Sequence, residues 1–233
     1  MPRLLLIETA TRVCSVALSV DGKVISIKES DVKNSHASLV TPFSEQVINE
    51  AGLTFDNIDA FVVSKGPGSY TGLRIGVSSA KGFAYATGSK LIAVNTLQSM
   101  AAGMAEKIDG NAEGMLFCPM IDARRMEVYA AVYNAAGKEI KPTEAVIVDE
   151  NSFFGLLENN KVLFAGDGME KCKPLLSQNK NALFLDDFSP SAAYMVPIAE
   201  KLYKDGNFED VAYFEPFYLK DFVAGIPKVK GLR

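Results

Sequence analysis

Apolar residues along the first hundred positions alternate between two periods. Leu4 to Glu8 is a short apolar run closed by an acid, Cys14 to Val20 is a second such run, and Lys23 to Lys28 alternates polar with apolar residues. These predict three strands, the third an outer one, with Asp21-Gly22 supplying the dipeptide of a two-residue hairpin turn. From Ser38 to Ala51 the period becomes helical: Leu39, Phe43, Val47 and Ala51 recur every four residues on one stripe, and Gly52 stops the helix. Next come a strand at Ala60 to Ser64, the loop Gly66-Pro67-Gly68-Ser69-Tyr70-Thr71-Gly72, and a helix from Leu73 to about Thr87. A strand at Lys90 to Val94 leads to a helix over Thr96 to Lys107, with Thr96 the candidate N-cap. Strands alternating with helices predict an α/β fold whose sheet is largely parallel.

After Gly110 the opening pattern returns. Ile7-Glu8-Thr9-Ala10-Thr11-Arg12, followed by Cys14 to Leu18 and Gly22-Lys23, is matched by Ile121-Asp122-Ala123-Arg124-Arg125, followed by Glu127 to Ala131 and Gly137-Lys138. Both stretches give a strand ending in a carboxylate, an Arg-containing turn, a second strand and a Gly-Lys turn into a third. This is an internal duplication, and it predicts two lobes, 1–108 and 109–233, held in contact because no long linker separates them. Beyond Val146 the signal is faint: a strand near Val162 to Ala165, a turn at Gly166-Asp167-Gly168, and an apolar-periodic helix from about Ser191 to Lys204. Residues 205–233, with Pro216 and Pro227 and scattered aromatics, read as an extended arm.

Composition narrows the compartment and the partners. The 233 residues are 48% hydrophobic and 22% charged, an ordinary globular balance. The apolar run at Leu4 to Ile7 is too short for a signal peptide, and no run of about 18 apolar residues occurs, so a cytoplasmic protein with no membrane contact is expected. Cys14, Cys118 and Cys172 are too few and too irregularly spaced for a disulfide framework or a zinc ribbon. A net charge of −4 lacks the footprint of a stand-alone nucleic-acid binder, so any RNA is held mostly by something else. The basic residues at the C-terminus, Lys220, Lys228, Lys230 and Arg233, read as a solvated tail.

Candidate chemistry concentrates in the glycine-rich loop and the helix it opens. A loop between strand and helix offers backbone N–H groups to an anion. Yet no Gly-Lys-Ser/Thr follows, and the glycine spacing misses the dinucleotide fingerprint by one residue. The alternative is that the glycines make a sharp turn and let the helix pack closely. Gly72, Gly76, Ala80, Ala84 and Gly88 then form a stripe of small residues, which admits either the sheet beneath or a helix of a partner chain.

Two lobes that each open strand-turn-strand resemble the duplicated actin-like ATPase fold, in which the two turns face each other across a cleft, hold phosphates and contribute a carboxylate apiece toward a metal. Glu8 with Thr9 and Thr11 match one such turn and Asp122 with Arg124 the other, and Gly66, Gly68, Ser69 and Thr71 of the glycine-rich loop are the remaining candidate phosphate positions. Glu8 departs from the usual aspartate, and its extra methylene shifts the carboxylate by about 1 Å or more, so the phosphate positions read as vestigial. More specifically, Ile7-Glu8-Thr9-Ala10-Thr11, Ser35-His36-Ala37-Ser38-Leu39, the run from Lys65 through Gly66-Pro67-Gly68-Ser69-Tyr70-Thr71-Gly72-Leu73-Arg74-Ile75 to Gly76, Ile121-Asp122-Ala123-Arg124, and Pro216-Phe217-Tyr218-Leu219-Lys220 resemble the TsaB (YeaZ) family in the same order. The last segment carries lysine where that family has arginine.

This resemblance implies a non-catalytic, dimer-forming subunit of the machinery that transfers threonylcarbamoyl to N6 of adenosine 37 in tRNA. It implies pairing with the catalytic paralogue TsaD through the two helices of the first lobe, at Leu39, Phe43, Val47, Gly72, Leu73, Arg74, Gly76, Val77, Ala80 and Ala84. The small ATPase TsaE would join, tRNA would be reached through the complex, and a homodimer would form when TsaD is absent. No intrinsic cofactor is implied, and ATP or ADP would be held only in the assembled complex. TsaD carries an Asn-His-x-x-x-His metal site where this chain reads Asn95-Thr96-Leu97-Gln98-Ser99-Met100, and His36 is the one histidine present. The competing enzyme readings are an ATP-dependent small-molecule kinase of the actin-like superfamily and, below it, a metallo-glycopeptidase.

Overall fold

The computed structural model describes residues 1–108, 112 and 114–220. Two five-stranded sheets carry the fold. The first comprises β1 (Arg3–Glu8), β2 (Cys14–Val20), β3 (Lys23–Ser30), β4 (Ala60–Gly66) and β5 (Lys90–Asn95), in the order β3-β2-β1-β4-β5. Strands β1, β2 and β3 are antiparallel neighbours, whereas β1, β4 and β5 run parallel. The second comprises β6 (Met115–Asp122), β7 (Glu127–Asn134), β8 (Glu139–Ile147), β9 (Lys161–Ala165) and β10 (Ala182–Leu185), in the order β10-β9-β6-β7-β8. Substituting β6 for β1, β7 for β2 and so on reproduces the first sheet with the same strand directions. The structure is therefore the duplicated actin-like fold.

The opening run of β1 is apolar at successive positions because the strand is covered on both faces. Leu5 and Ile7 join a core with α1 (His36–Glu50) and α2 (Tyr70–Thr87), built on Val40, Val47, Ile48, Val77, Ala80 and Ala84. Leu4 and Leu6 point the other way, into a cluster with Ala192, Met195, Val196 and Ala199. Those residues belong to a short 3-10 turn, Ala192–Met195, and to α6 (Val196–Lys204), so the helix expected from Ser191 to Lys204 is divided in two.

In the second lobe, one face of the sheet packs on α4 (Phe154–Leu157) and α5 (Met169–Leu176) through Leu157, Met169, Cys172 and Leu176. Its other face is covered by Leu97, Met100, Ala101 and Met104 of α3 (Thr96–Glu106). A boundary between 108 and 109, the latter outside the described residues, thus separates the sheets but not their helices. The helix preceding the boundary covers the second sheet, and the last helix returns to the first. This exchange packs the lobes on each other.

The cap of α3 corrects the sequence expectation. Asn95, not Thr96, is the N-cap: its side-chain oxygen accepts from Leu97 N at 2.9 Å and Gln98 N at 3.2 Å. Thr96 is fully buried, and its Oγ1 accepts from Gly66 N at 3.1 Å, tying α3 to the end of β4. All three cysteines are free and buried. Burial, with the Glu8 carboxyl adding to it, pushes the Cys14 thiol up to about 11.

Residues 205–220 run as an arm over the first lobe. Glu209 N donates to Leu91 O, Lys81 Nζ donates to the carbonyls of Ala212 and Phe214, and Phe217 N donates to Lys65 O at 2.7 Å. Lys220 is not solvated tail: it pairs with Glu127 of the second lobe and lies 6.0 Å from the Tyr129 ring centre. Pro227, Lys228, Lys230 and Arg233 lie outside the described residues. Among the described residues, no helix is long and apolar enough to cross a membrane.

Candidate functional site

The turns that end β1 and β6 face each other across a cleft of about 1040 Å³. Ala10, Thr11 and Arg12, with Pro67 to Leu73 of the glycine-rich loop, form one wall. Ile121 to Arg124, Tyr129 and Asp167 form the other, and Phe217 to Lys220 of the arm close the side. Of the expected phosphate positions, Thr11, Gly68, Ser69, Thr71, Asp122 and Arg124 line this cleft; Glu8, Thr9 and Gly66 do not.

The glycines act in close packing. A Cβ at Gly68 would sit 2.3 Å from Ala10 O, one at Gly72 2.1 Å from Thr9 O, and one at Gly76 2.2 Å from Thr9 Oγ1. The first turns of α2 are thereby pressed onto the β1–β2 turn. Thr9 Oγ1 donates to Gly72 O at 2.9 Å, Ser69 N donates to Ala10 O, and Gly72 N donates to Ser69 Oγ. Two amides that an anion would have met are thus engaged inside the chain.

Glu8 is fully buried behind that turn. Its Oε1 accepts from Ala10 N at 2.6 Å and from Ser64 Oγ at 2.9 Å, while Oε2 has no partner. Burial outweighs these hydrogen bonds and raises its pKa to about 7. Asp122 differs. Burial acts to raise its pKa, but the Lys171 ammonium, the Arg124 amide and the charges of both side chains together hold the carboxyl below the ordinary range. Lys171 Nζ pairs with Asp122 Oδ1 and donates to Glu127 O at 2.7 Å. Arg124 N donates to Asp122 Oδ1 and Asp122 N to Asp167 Oδ1, both at 2.9 Å.

The two carboxylates that the actin-like fold would turn toward a metal are not free to take one here. One carboxylate is sealed away from the cleft and the other is clasped by an ammonium. Asp167 and Lys171 escaped the sequence reading. Asp167 was visible only as the middle of a Gly-Asp-Gly turn, and nothing in the sequence pattern joins Lys171 to Asp122, 49 positions away.

The positions that the family resemblance sets against TsaD's two histidines are occupied by core. Thr96 and Met100 are buried, the latter among Leu97, Ile121 and Ala165. His36 opens α1, and its Nε2 lies 3.0 Å from Thr11 O and 3.3 Å from Val13 O, fastening the helix to the β1–β2 turn. Among the described residues, no three His, Cys, Asp or Glu side chains are grouped to hold a metal ion.

Most of the residues expected at a partner face lie in the first-lobe core. Val47, Gly72, Leu73, Gly76, Val77, Ala80 and Ala84 are buried against the chain's own sheet and turn, so the small-residue stripe is covered from within as far as Ala84, and Gly88 at its end is exposed. Leu39 and Phe43 are half-buried beside the same core. Of the ten expected interface residues only Arg74 is exposed; its guanidinium stacks 4.1 Å over the Tyr70 ring and its Nε donates to the Tyr218 hydroxyl. The outward side of α2 instead presents Ser78, Gly82 and Tyr85, the last 85% exposed.

A family model described as "TsaD: tRNA N6-adenosine threonylcarbamoyltransferase" matches residues 27–228. The tRNA threonylcarbamoyladenosine biosynthesis protein TsaB of Escherichia coli is 33% identical over 228 residues, covering 95% of this chain and 96% of that one. The protein of the same description from Bacillus subtilis is 29% identical over 223 residues, 93% of each chain. Among solved structures, YeaZ from Pseudomonas aeruginosa superposes with a TM-score of 0.80 at 24% identity, covering 94% of this chain and all of that one, which bears out the fold. With identity of 33% running nearly end to end, and within the wider group that the TsaD model describes, the chain belongs to the TsaB (YeaZ) family.

Proposed function

We propose that this protein acts in tRNA threonylcarbamoyladenosine biosynthesis as a non-catalytic subunit that supports a TsaD-like catalytic partner by contact. The observation that carries the reading is that Thr96 and Met100, which the resemblance sets against TsaD's two histidines, are buried in the core of a chain whose single histidine is tied to backbone carbonyls. The state of the cleft supports it too, since Glu8 is buried behind its turn and Asp122 is ion-paired.

The pairing surface in this proposal is the outward side of α1 and α2, with Arg74, Ser78 and Tyr85 alongside the half-buried Leu39 and Phe43. Tyr85, an exposed aromatic, and Arg74, three turns earlier in the same helix and stacked on Tyr70, are residue types of which interface anchors are made. In the same reading the TsaE ATPase joins the pair, ATP or ADP is held only in the assembled complex, tRNA is met through the complex in the cytoplasm, and the chain pairs with itself when the catalytic partner is missing.

Reconstituting adenosine 37 modification from purified components, with and without this chain, tests the proposal. Full modification without the chain, or modification by the chain alone, would refute it. Tyr85→Asp is expected to weaken pairing by about 2 kcal/mol, roughly thirtyfold, with the fold intact by circular dichroism. Unchanged affinity would exclude this face of α2.

A further inference from the structure

The disagreement between the cleft and the metal implied by its fold has a specific cause. Lys171 projects from α5 to the floor of the second-lobe turn, where its ammonium meets Asp122 Oδ1 and the carbonyl of Glu127. Asp122 Oδ1 also receives the amide of Arg124, and Asp167 approaches the same turn, taking the Asp122 amide on its Oδ1. Two adjacent carboxylates and a carbonyl are an oxygen set of the kind that hard divalent cations take. Here a side-chain cation already meets one carboxylate and the carbonyl. Both Asp122 and Asp167 border the cleft, so the arrangement faces solvent and is not a buried core pair.

We propose that Lys171 is a tethered cation standing in place of a divalent metal at Asp122, so that this cleft takes no divalent ion while the ammonium is present. The charge that a metal would supply to the turn is supplied permanently by the chain, and it fixes the turn in which Arg124 and Arg125 both adopt positive φ, 72° and 49°. The inference stands apart from the role in tRNA modification, because it concerns cation binding by the isolated chain.

Manganese titration followed by loss of the free-ion electron paramagnetic resonance signal tests it. Wild-type protein and Lys171→Arg, which retains a cation, are expected to leave the ion free. Lys171→Met, which keeps an apolar stem and removes the charge, is expected to bind Mn2+ with a dissociation constant on the order of 0.1–1 mM. Adding Asp122→Asn to it should abolish that binding. Lys171→Gln provides a second neutral variant should the methionine chain prove insoluble. Saturable Mn2+ binding by the wild-type chain that is lost in Asp122→Asn would overturn the proposal, as would folded neutral variants that bind no more Mn2+ than wild type.

Discussion

Glu8 offers the sharpest quantitative test of the structure. Its carboxyl is fully buried, with Oε1 held by Ala10 N and Ser64 Oγ and Oε2 unpartnered, and its pKa rises from 4.5 to about 7. Because the folded-state value is the higher one, the native chain keeps its proton where the unfolded chain has lost it. Below pH 4.5 both states are protonated and Glu8 carries no penalty; between 4.5 and about 7 stability falls as pH rises; above that the loss is constant. At 1.36 kcal/mol for each unit of difference, the full loss is about 3 kcal/mol.

Glu8→Gln keeps an oxygen for Ala10 and Ser64 and cannot ionise. Its stability relative to wild type should therefore climb by about 3 kcal/mol between pH 4.5 and pH 8. Urea denaturation followed by circular dichroism, on both proteins at several pH values, gives this quantity as a double difference. The cost of the amide itself and the titration of distant carboxylates cancel in it. The Cys14 thiol, pushed to about 11, titrates outside the window. A difference that stays flat across the range would mean that the carboxyl is solvated in solution, and would refute the burial of Glu8 behind the β1–β2 turn.

Other consequences follow from the same packing. Gly72→Ala sets a Cβ 2.1 Å from Thr9 O, and should cost about 3 kcal/mol, lowering Tm by roughly 6–12 °C; an unchanged Tm by calorimetry would contradict the contact. Ala80→Arg forces a charge into the first-lobe core and should leave little soluble folded protein, whereas Tyr85→Asp on the outward side should alter stability by no more than about 0.5 kcal/mol. Equal melting curves for those two variants would show that the α2 faces have been assigned wrongly. Asn95→Ala removes the side-chain cap of α3 and should cost about 1 kcal/mol, measurable in the same denaturation assay.

The sequence by itself determined the elements whose signal is local. The apolar runs of β1 and β2, the Asp21-Gly22 turn and the four-residue period of α1 and α2 state their own conformations, and the repeated strand-carboxylate-turn-strand pattern revealed the duplication that the two strand orders display. The absence of a second histidine was equally plain. Between 140 and 190 the local signal gave β9 but missed α4, α5 and β10, and β8 was implied only as the third strand of the repeat, for physical reasons. Strand β8 is an edge strand carrying Pro142, its pairing with β7 is interrupted by irregular register, α4 is a single turn, and α5 contains Pro174. Such short elements are held by tertiary contacts and not by their own propensity.

Only the tertiary structure decided which way each face points. Spacing proves that a helix has a small-residue stripe but is symmetric with respect to what covers it, and the cover proved to be Thr9, Ala10 and the chain's own sheet. The same holds for α3 and α6, whose apolar faces are legible but whose exchange between sheets is not. Charge was the last thing to emerge. Glu8 and Asp122 are equivalent carboxylates in the repeat, yet one sits in the dry interior with an unpartnered oxygen and the other beside an ammonium from a distant helix. That difference depends on distances and solvation, which a linear pattern does not carry.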